Sequence, residues 1–153
     1  MAGLIQVDDP RAEDVRTLLT AHMRFALEQS PREDVHALDV DALVHPSVTF
    51  YSYRVEGRLL AVGALVRLDQ EHVELKSMHT EEAARGQGIG RALLEHLIAA
   101  ARAGGYRQMS LETGTPPAFE PARLLYASAG FMECPPFGPY RDSPYSLCMT
   151  LLL

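Results

Sequence analysis

The stretch Arg85-Gly86-Gln87-Gly88-Ile89-Gly90-Arg91 decides the fold, and it lies between a strand-like run, Val73 to Met78, and a helix-like run, Ala92 to Ala103. A glycine-rich turn at the mouth of a helix is a phosphate-binding device. The glycines let backbone N–H groups approach an anion, and the helix N-terminus adds a partial positive charge worth about 0.3–1 kcal/mol for each nearby negative group. A phosphorylated ligand is the expectation. A dinucleotide fingerprint would place its third glycine where Arg91 stands and would follow a parallel βα repeat that is missing here. A Walker loop would end in Gly-Lys-Ser or Gly-Lys-Thr, and this region has no lysine. Alternating glycines between two arginines also exceed what helix capping requires.

After the turn, Ile89, Leu93, Leu94, Leu97, Ile98 and Ala101 recur at helical spacing, with Arg91, Glu95 and Arg102 on the opposite side. Gly104-Gly105 stops this amphipathic helix, and Gln108 to Thr113 reads as a strand. Pro121 suits the first turn of a helix ending at Gly130, and Phe131 to Cys134 and Tyr145 to Leu153 read as closing strands. The proline-rich segment Pro135 to Tyr140 between them has the length of a lid or substrate loop. Before the turn, Leu4 to Val7 is a short strand, followed by a helix with Val15, Leu18, Leu19, Met23, Ala26 and Leu27 on one face and Arg16, Arg24 and Glu28 in water. Pro31 ends that helix, and Asp39 to Leu43 forms a second, short one. Thr49 to Val55, Leu59 to Arg67 and the run at Val73 then read as an antiparallel meander.

The chain has 153 residues, 47% of them hydrophobic, which suits one compact domain over 1–153 and is too short for two typical ones. A net charge of -6 argues against a nucleic-acid partner, which would need clustered Lys and Arg, and Lys76 is the lone lysine. Cys134 and Cys148 match no zinc spacing, so no metal site is implied and both read as reduced core thiols. With no basic leader and no apolar run approaching the ~18 residues of a membrane span, a cytoplasmic protein with no membrane contact is expected.

The pattern Arg/Gln-x-x-Gly-x-Gly/Ala, here Arg85-Gly86-Gln87-Gly88-Ile89-Gly90, resembles the acyl-CoA signature of the GNAT family of N-acetyltransferases. Val73-Glu74-Leu75-Lys76-Ser77-Met78-His79-Thr80 is similar to the family's fourth strand, and Leu125-Tyr126-Ala127-Ser128-Ala129-Gly130-Phe131 to its late helix and following strand. The resemblance covers about Arg58 to the C-terminus. It implies an α+β (mixed α/β) GNAT acyl-CoA N-acyltransferase fold, a twisted mixed sheet of about seven strands flanked by about four helices. Strands four and five would splay apart around acetyl-CoA, with no metal. Met78, His79 and Thr80 would then offer main-chain hydrogen bonds to pantetheine in the manner of an added strand. Arg85, Gly86, Gln87, Gly88, Ile89, Gly90 and Arg91 would cradle the pyrophosphate.

Acetyl transfer to an amine needs a neutral nitrogen, a polarised thioester carbonyl and stabilisation of the departing thiolate. A backbone N–H near Met78, where relatives carry a bulge, would serve the carbonyl oxygen. Glu74 matches an acidic position of many relatives and is a candidate base; Glu112, His79 and water compete for that role. Tyr126 stands at the family's usual tyrosine position beside the CoA sulfur. With reference pKa values of about 10 and 8.5, full proton donation from a phenol to a thiolate is uphill by roughly 2 kcal/mol, so Tyr126 reads as a hydrogen-bond donor first. Phe119 stands where many relatives have Asn, so either Glu120 supplies that polar contact or none is made, and Phe119, Phe137 and Tyr140 suit either an apolar acceptor pocket or core.

These readings converge on an acetyl-CoA-dependent N-acetyltransferase acting on a small-molecule, amino-acid or peptide amine. A non-catalytic acyl-CoA-binding module and a nucleotide-binding protein of another class remain as alternatives. Acceptor specificity would lie in His22 to Leu43 and Pro135 to Tyr145. The terminus Leu151-Leu152-Leu153 suits a closing strand or the surface of a homodimer.

Overall fold

A computed structural model describes residues 3–153. In chain order the elements are β1 (Leu4–Val7), α1 (Glu13–Gln29), α2 (Val40–Leu43), β2 (Val48–Val55), β3 (Arg58–Arg67), β4 (His72–Thr80), α3 (Ile89–Ala103), β5 (Gln108–Gly114), α4 (Glu120–Ser128), β6 (Met132–Cys134) and β7 (Ser146–Leu152). The seven strands form one sheet in the order β1-β2-β3-β4-β5-β7-β6. Every neighbouring pair is antiparallel except β4 and β5, which are parallel and linked through α3. Among the described residues, no helix is long and apolar enough to cross a membrane.

Alternation along β3 distributes its side chains to two cores. Ala61 and Leu65 pack with Leu93, Leu94, Leu97 and Ile98 of α3, whereas Val62 and Ala64 pack with Val15, Leu18 and Leu19 of α1 and Leu43 of α2. The expected wet face of α1 is wet, but Leu27 is 45% exposed rather than buried. Only the first turns of α1 lie over the sheet. Beyond His22 the helix overhangs the cleft described below, where Phe25 and Ala26 face inward and Leu27 points away.

Two features of β4 position the site. Its parallel pairing with β5 is confined to His72–Gln108, Val73–Met109 and Glu74–Ser110, so from Leu75 onward β4 has an unpaired edge toward β5. On its other side β4 pairs with β3, and there Ala64 faces Lys76 and Val62 faces His79. Gly63 therefore opposes both Ser77 and Met78, a bulge that Ser77 accommodates at φ +59°.

Arg54 ties β2 to α1, donating from Nε to Asp8 Oδ2 at 2.9 Å and from Nη1 to Asp14 Oδ2 at 2.6 Å. Against the desolvation of its own burial, the Ser52 hydroxyl and Arg54 hold the Asp8 carboxyl below its usual range, and Arg54 does the same for Asp14. Depressed carboxyl values stabilise the fold above the ordinary value of 3.8 and lose that contribution as pH falls through the folded-state values. Arg54→Leu is expected to cost about 2 kcal/mol in urea unfolding at neutral pH and to flatten the acid limb of stability. An unchanged acid limb would count against the linkage.

Candidate functional site

The divergence of β4 and β5 opens a cleft of about 540 Å³. One end is the glycine turn. Gly86 and Gly88 adopt φ +76° and +80°, a left-handed region that an L side chain rarely enters, and Gly88 is the N-cap of α3. Ala92 N donates to Gly88 O at 3.0 Å, so the N–H groups of Ile89, Gly90 and Arg91 precede the first intrahelical bond and are left for a ligand. A Cβ at Gly90 would lie 3.5 Å from Leu125 Cδ2 and Thr80 Oγ1, an ordinary contact distance, so this position lies between β4 and α4.

Met78, His79, Thr80, Arg85, Gly86, Gly88, Ile89, Gly90, Arg91, Glu112 and Tyr126 all line this cleft. Gln87 and Glu74 do not. Gln87 turns its side chain back to donate to Ala83 O at 3.4 Å, leaving only its backbone in the turn. Glu74 is buried on the strand, accepts a hydrogen bond from the Tyr140 hydroxyl and has Lys76 Nζ 3.5 Å away. It is a buried, paired carboxylate, not a solvated one. Arg85 donates to Thr80 O at 3.2 Å, at the end of β4, and Arg91 to Ser128 Oγ at 2.9 Å, at the end of α4.

The three competing proton acceptors occupy different environments. Glu112, half-buried on β5, accepts from Ser146 Oγ at 2.6 Å, and burial pushes its carboxyl up to about 7 despite that bond. It can take up and release a proton near neutrality. His79 Nδ1 lies 3.1 Å from His22 Nδ1, and burial, the neighbouring His22 and Arg85 push His79 down to about 3. Burial and Lys76 push His22 down to about 4, so both rings are neutral and one donates to the other. Burial together with Glu112 pushes the Tyr126 hydroxyl up to about 12.

Phe119 lines the cleft, stacks edge-on against Phe25 at 5.1 Å between ring centroids and covers Gly114. The exposed Glu120 does not line the cleft, so it supplies no polar contact in place of Phe119. A Cβ at Gly114 would come within 2.3 Å of Phe119 Cδ2. Gly114→Ala is expected to cost about 1–3 kcal/mol of stability by displacing that ring. Gly114→Ala,Phe119→Ala should not add the two single losses in denaturant titrations, because the clash disappears with the ring.

The segment Pro135 to Tyr140 is not a lid over the cleft: Tyr140 folds inward to Glu74 and Lys76, and its ring packs 5.0 Å from Phe137. Tyr145 does face the cleft, as do His22, Phe25, Asp34 and His36 from the first helical region. The functional candidates that sequence reasoning missed are His22 and Ser77. Ser77 Oγ is buried without a partner at the bulge, and no residue pattern announces a serine at positive φ.

The sequence profile of the acetyltransferase (GNAT) family matches residues 12–131. The chain is 40% identical over 146 residues to the uncharacterized N-acetyltransferase YsnE of Bacillus subtilis, covering 95% of this chain and 97% of that one. It is 40% identical over 149 residues to the uncharacterized N-acetyltransferase YedL of Escherichia coli, covering 97% and 94%. Its fold is similar to the crystal structure of a GNAT family acetyltransferase from Elizabethkingia anophelis with acetyl-CoA bound, with a TM-score of 0.71, 21% identity and coverage of 99% and 98%.

Proposed function

Because this chain belongs to the acetyltransferase (GNAT) family, we propose that residues 1–153 act as one domain that carries acetyl from acetyl-CoA to a primary amine of a small molecule, amino acid or peptide by direct attack in a ternary complex. The observation that carries this reading is one cleft holding the glycine turn, the unpaired β4 edge, Glu112 and Tyr126. Acetyl-CoA supplies an activated acyl group and a thiolate leaving group. It is bound in the structural relative from Elizabethkingia anophelis, and the left-handed glycines fit a pyrophosphate.

The amine must lose a proton to react, and Glu112 accepts it. A base works best when its pKa lies near the working pH, which favours a carboxyl at about 7 over His79 at about 3. Glu74 does not line the cleft and is committed to Tyr140 and to Lys76, so it holds the strand rather than the proton. The backbone N–H at the Met78 bulge donates to the thioester carbonyl as charge develops. Tyr126 donates a hydrogen bond to the leaving sulfur. Full proton transfer from a phenol at about 12 to a thiolate would be uphill by about 5 kcal/mol, so hydrogen bonding is its role. Tyr126→Phe should therefore lower kcat about tenfold while leaving the acetyl-CoA Kd unchanged, measured by acceptor-dependent thiol release and by calorimetry. A kcat equal to wild type would remove Tyr126 from the reaction.

Calorimetric titration with acetyl-CoA, ATP and NAD tests the donor. Selective acetyl-CoA binding followed by amine-dependent release of CoA thiol is expected. Preference for ATP or NAD, or binding without turnover across an amine panel, would overturn the reading.

A further inference from the structure

In the antiparallel ladder of β6 and β7, Met132 stands opposite Thr150, Glu133 opposite Met149 and Cys134 opposite Cys148. Directly opposed residues of such a pair place their side chains on one face with Cα atoms about 4.5–5.5 Å apart. A disulfide closes without backbone movement when that separation is about 4.4–6.8 Å. The chain has only two cysteines, 14 positions apart in sequence, and the register brings both to the same rung. The other edge of β7 sets Cys148 opposite Glu112 of β5, so the rung runs Cys134, Cys148, Glu112 across three strands. Both cysteines are thiols in this structure.

We infer that Cys134 and Cys148 form a redox modification site, a reversible cross-strand disulfide made by exchange with a low-molecular-weight disulfide. Cys148 is buried and Cys134 is partly accessible, so Cys134 meets the external reagent first. The Cys134 thiol loses its proton and its sulfur attacks one sulfur of the external disulfide. A mixed disulfide forms and one external thiolate leaves to be protonated. Cys148, likewise deprotonated, then attacks Cys134 Sγ and expels the second external thiolate. Two protein thiols are oxidised to one disulfide, and one external disulfide is reduced to two thiols.

Burial and Glu133 push the Cys134 thiol up, and burial pushes Cys148 up to about 11 despite a hydrogen bond from the Phe137 backbone. Exchange is therefore slow at neutral pH and accelerates with alkalinity. The arrangement suits a pair that follows the prevailing thiol–disulfide balance better than a rapid peroxide sensor. Its closure would fix Cys134, where the Pro135 to Tyr140 segment leaves the sheet, and take away the thiol that accepts from Phe137. None of this depends on the acceptor or on catalysis.

The test incubates native protein with oxidised glutathione at mildly alkaline pH, quenches with acid, removes the glutathione, alkylates with iodoacetamide in denaturant at about pH 8 and weighs the intact chain. The expected product has lost two hydrogens, carries neither glutathione nor an alkyl group, remains monomeric on non-reducing gels, and regains two alkylation sites after dithiothreitol. Cys134→Ser and Cys148→Ser should each stop at one glutathione adduct or a free thiol. In urea, at the same glutathione ratio, the intramolecular disulfide should fall about tenfold because the ladder no longer holds the thiols together. Stable adducts on both cysteines, two alkylated thiols after full equilibration, a cross-linked dimer, or an equal yield in urea would each overturn the inference.

Discussion

Glu112→Gln is expected to lower kcat toward a good amine acceptor by about a hundredfold or more, the usual contribution of a positioned general base. The loss should be largest above about pH 7, where the Glu112 carboxyl is ionised and competent. Below that value the wild-type rate falls as the carboxylate takes up its proton, and the variant should lack this limb. The same substitution changes stability with a defined sign. Burial raises the folded-state value to about 7 from 4.5, so between those values the native carboxyl keeps a proton that the unfolded chain has released. Native stability therefore falls as pH rises through that window, and Glu112→Gln removes the fall. A variant that keeps the wild-type pH–rate limb would assign that limb to another titrating group and remove Glu112 as the base. One that loses the limb yet keeps the pH-dependence of unfolding would show that the stability term belongs to another group.

Gly88→Trp should weaken acetyl-CoA binding by at least about a hundredfold, or about 2.7 kcal/mol. A Cβ there meets no protein atom within 4 Å, so the indole has room only in the cleft mouth or the solvent beside it. The backbone at φ +80° adds a strain of about 1–2 kcal/mol that the fold must absorb. Gly88→Asn separates the two effects, since Asn tolerates the left-handed region and is small. It should retain a folded chain and affinity within about tenfold of wild type. If both variants lose binding equally, backbone conformation rather than obstruction is responsible. If Gly88→Trp binds normally while folded, the turn does not hold the phosphates.

Local patterns made most of the architecture legible. The period of Ile89, Leu93, Leu97 and Ala101 reported a buried helix face, and the glycine turn located its start, which lies at Ile89 because Gly88 caps it. Strand runs were readable because β2 is rich in β-branched and aromatic residues, β3 is an unbroken apolar run from Leu59 to Val66, and β4 alternates Val73 and Leu75 with Glu74 and Lys76. The site was less legible. That Glu112 lines the cleft and Glu74 does not depends on where β5 parts from β4, a tertiary event with no sequence period. The same holds for His22, which reaches His79 only because α1 overruns the sheet. Leu27 misled for the opposite reason, its spacing being correct for a helix whose partner surface ends one turn earlier.

The confinement of the β4–β5 pairing to three rungs has a mechanical consequence. The sheet behaves as two plates, one running from β1 to β4 and the other from β5 through β7 to β6, fastened along a short seam and braced by α3 on one side. A ligand whose amides bond along the open part of that seam acts as a strut between the plates. Amide exchange along Leu75 to Thr80 and Leu111 to Gly114 should slow with loading more than exchange in the β2–β3 hairpin, so the stiffness of the molecule becomes a readout of how much donor it holds.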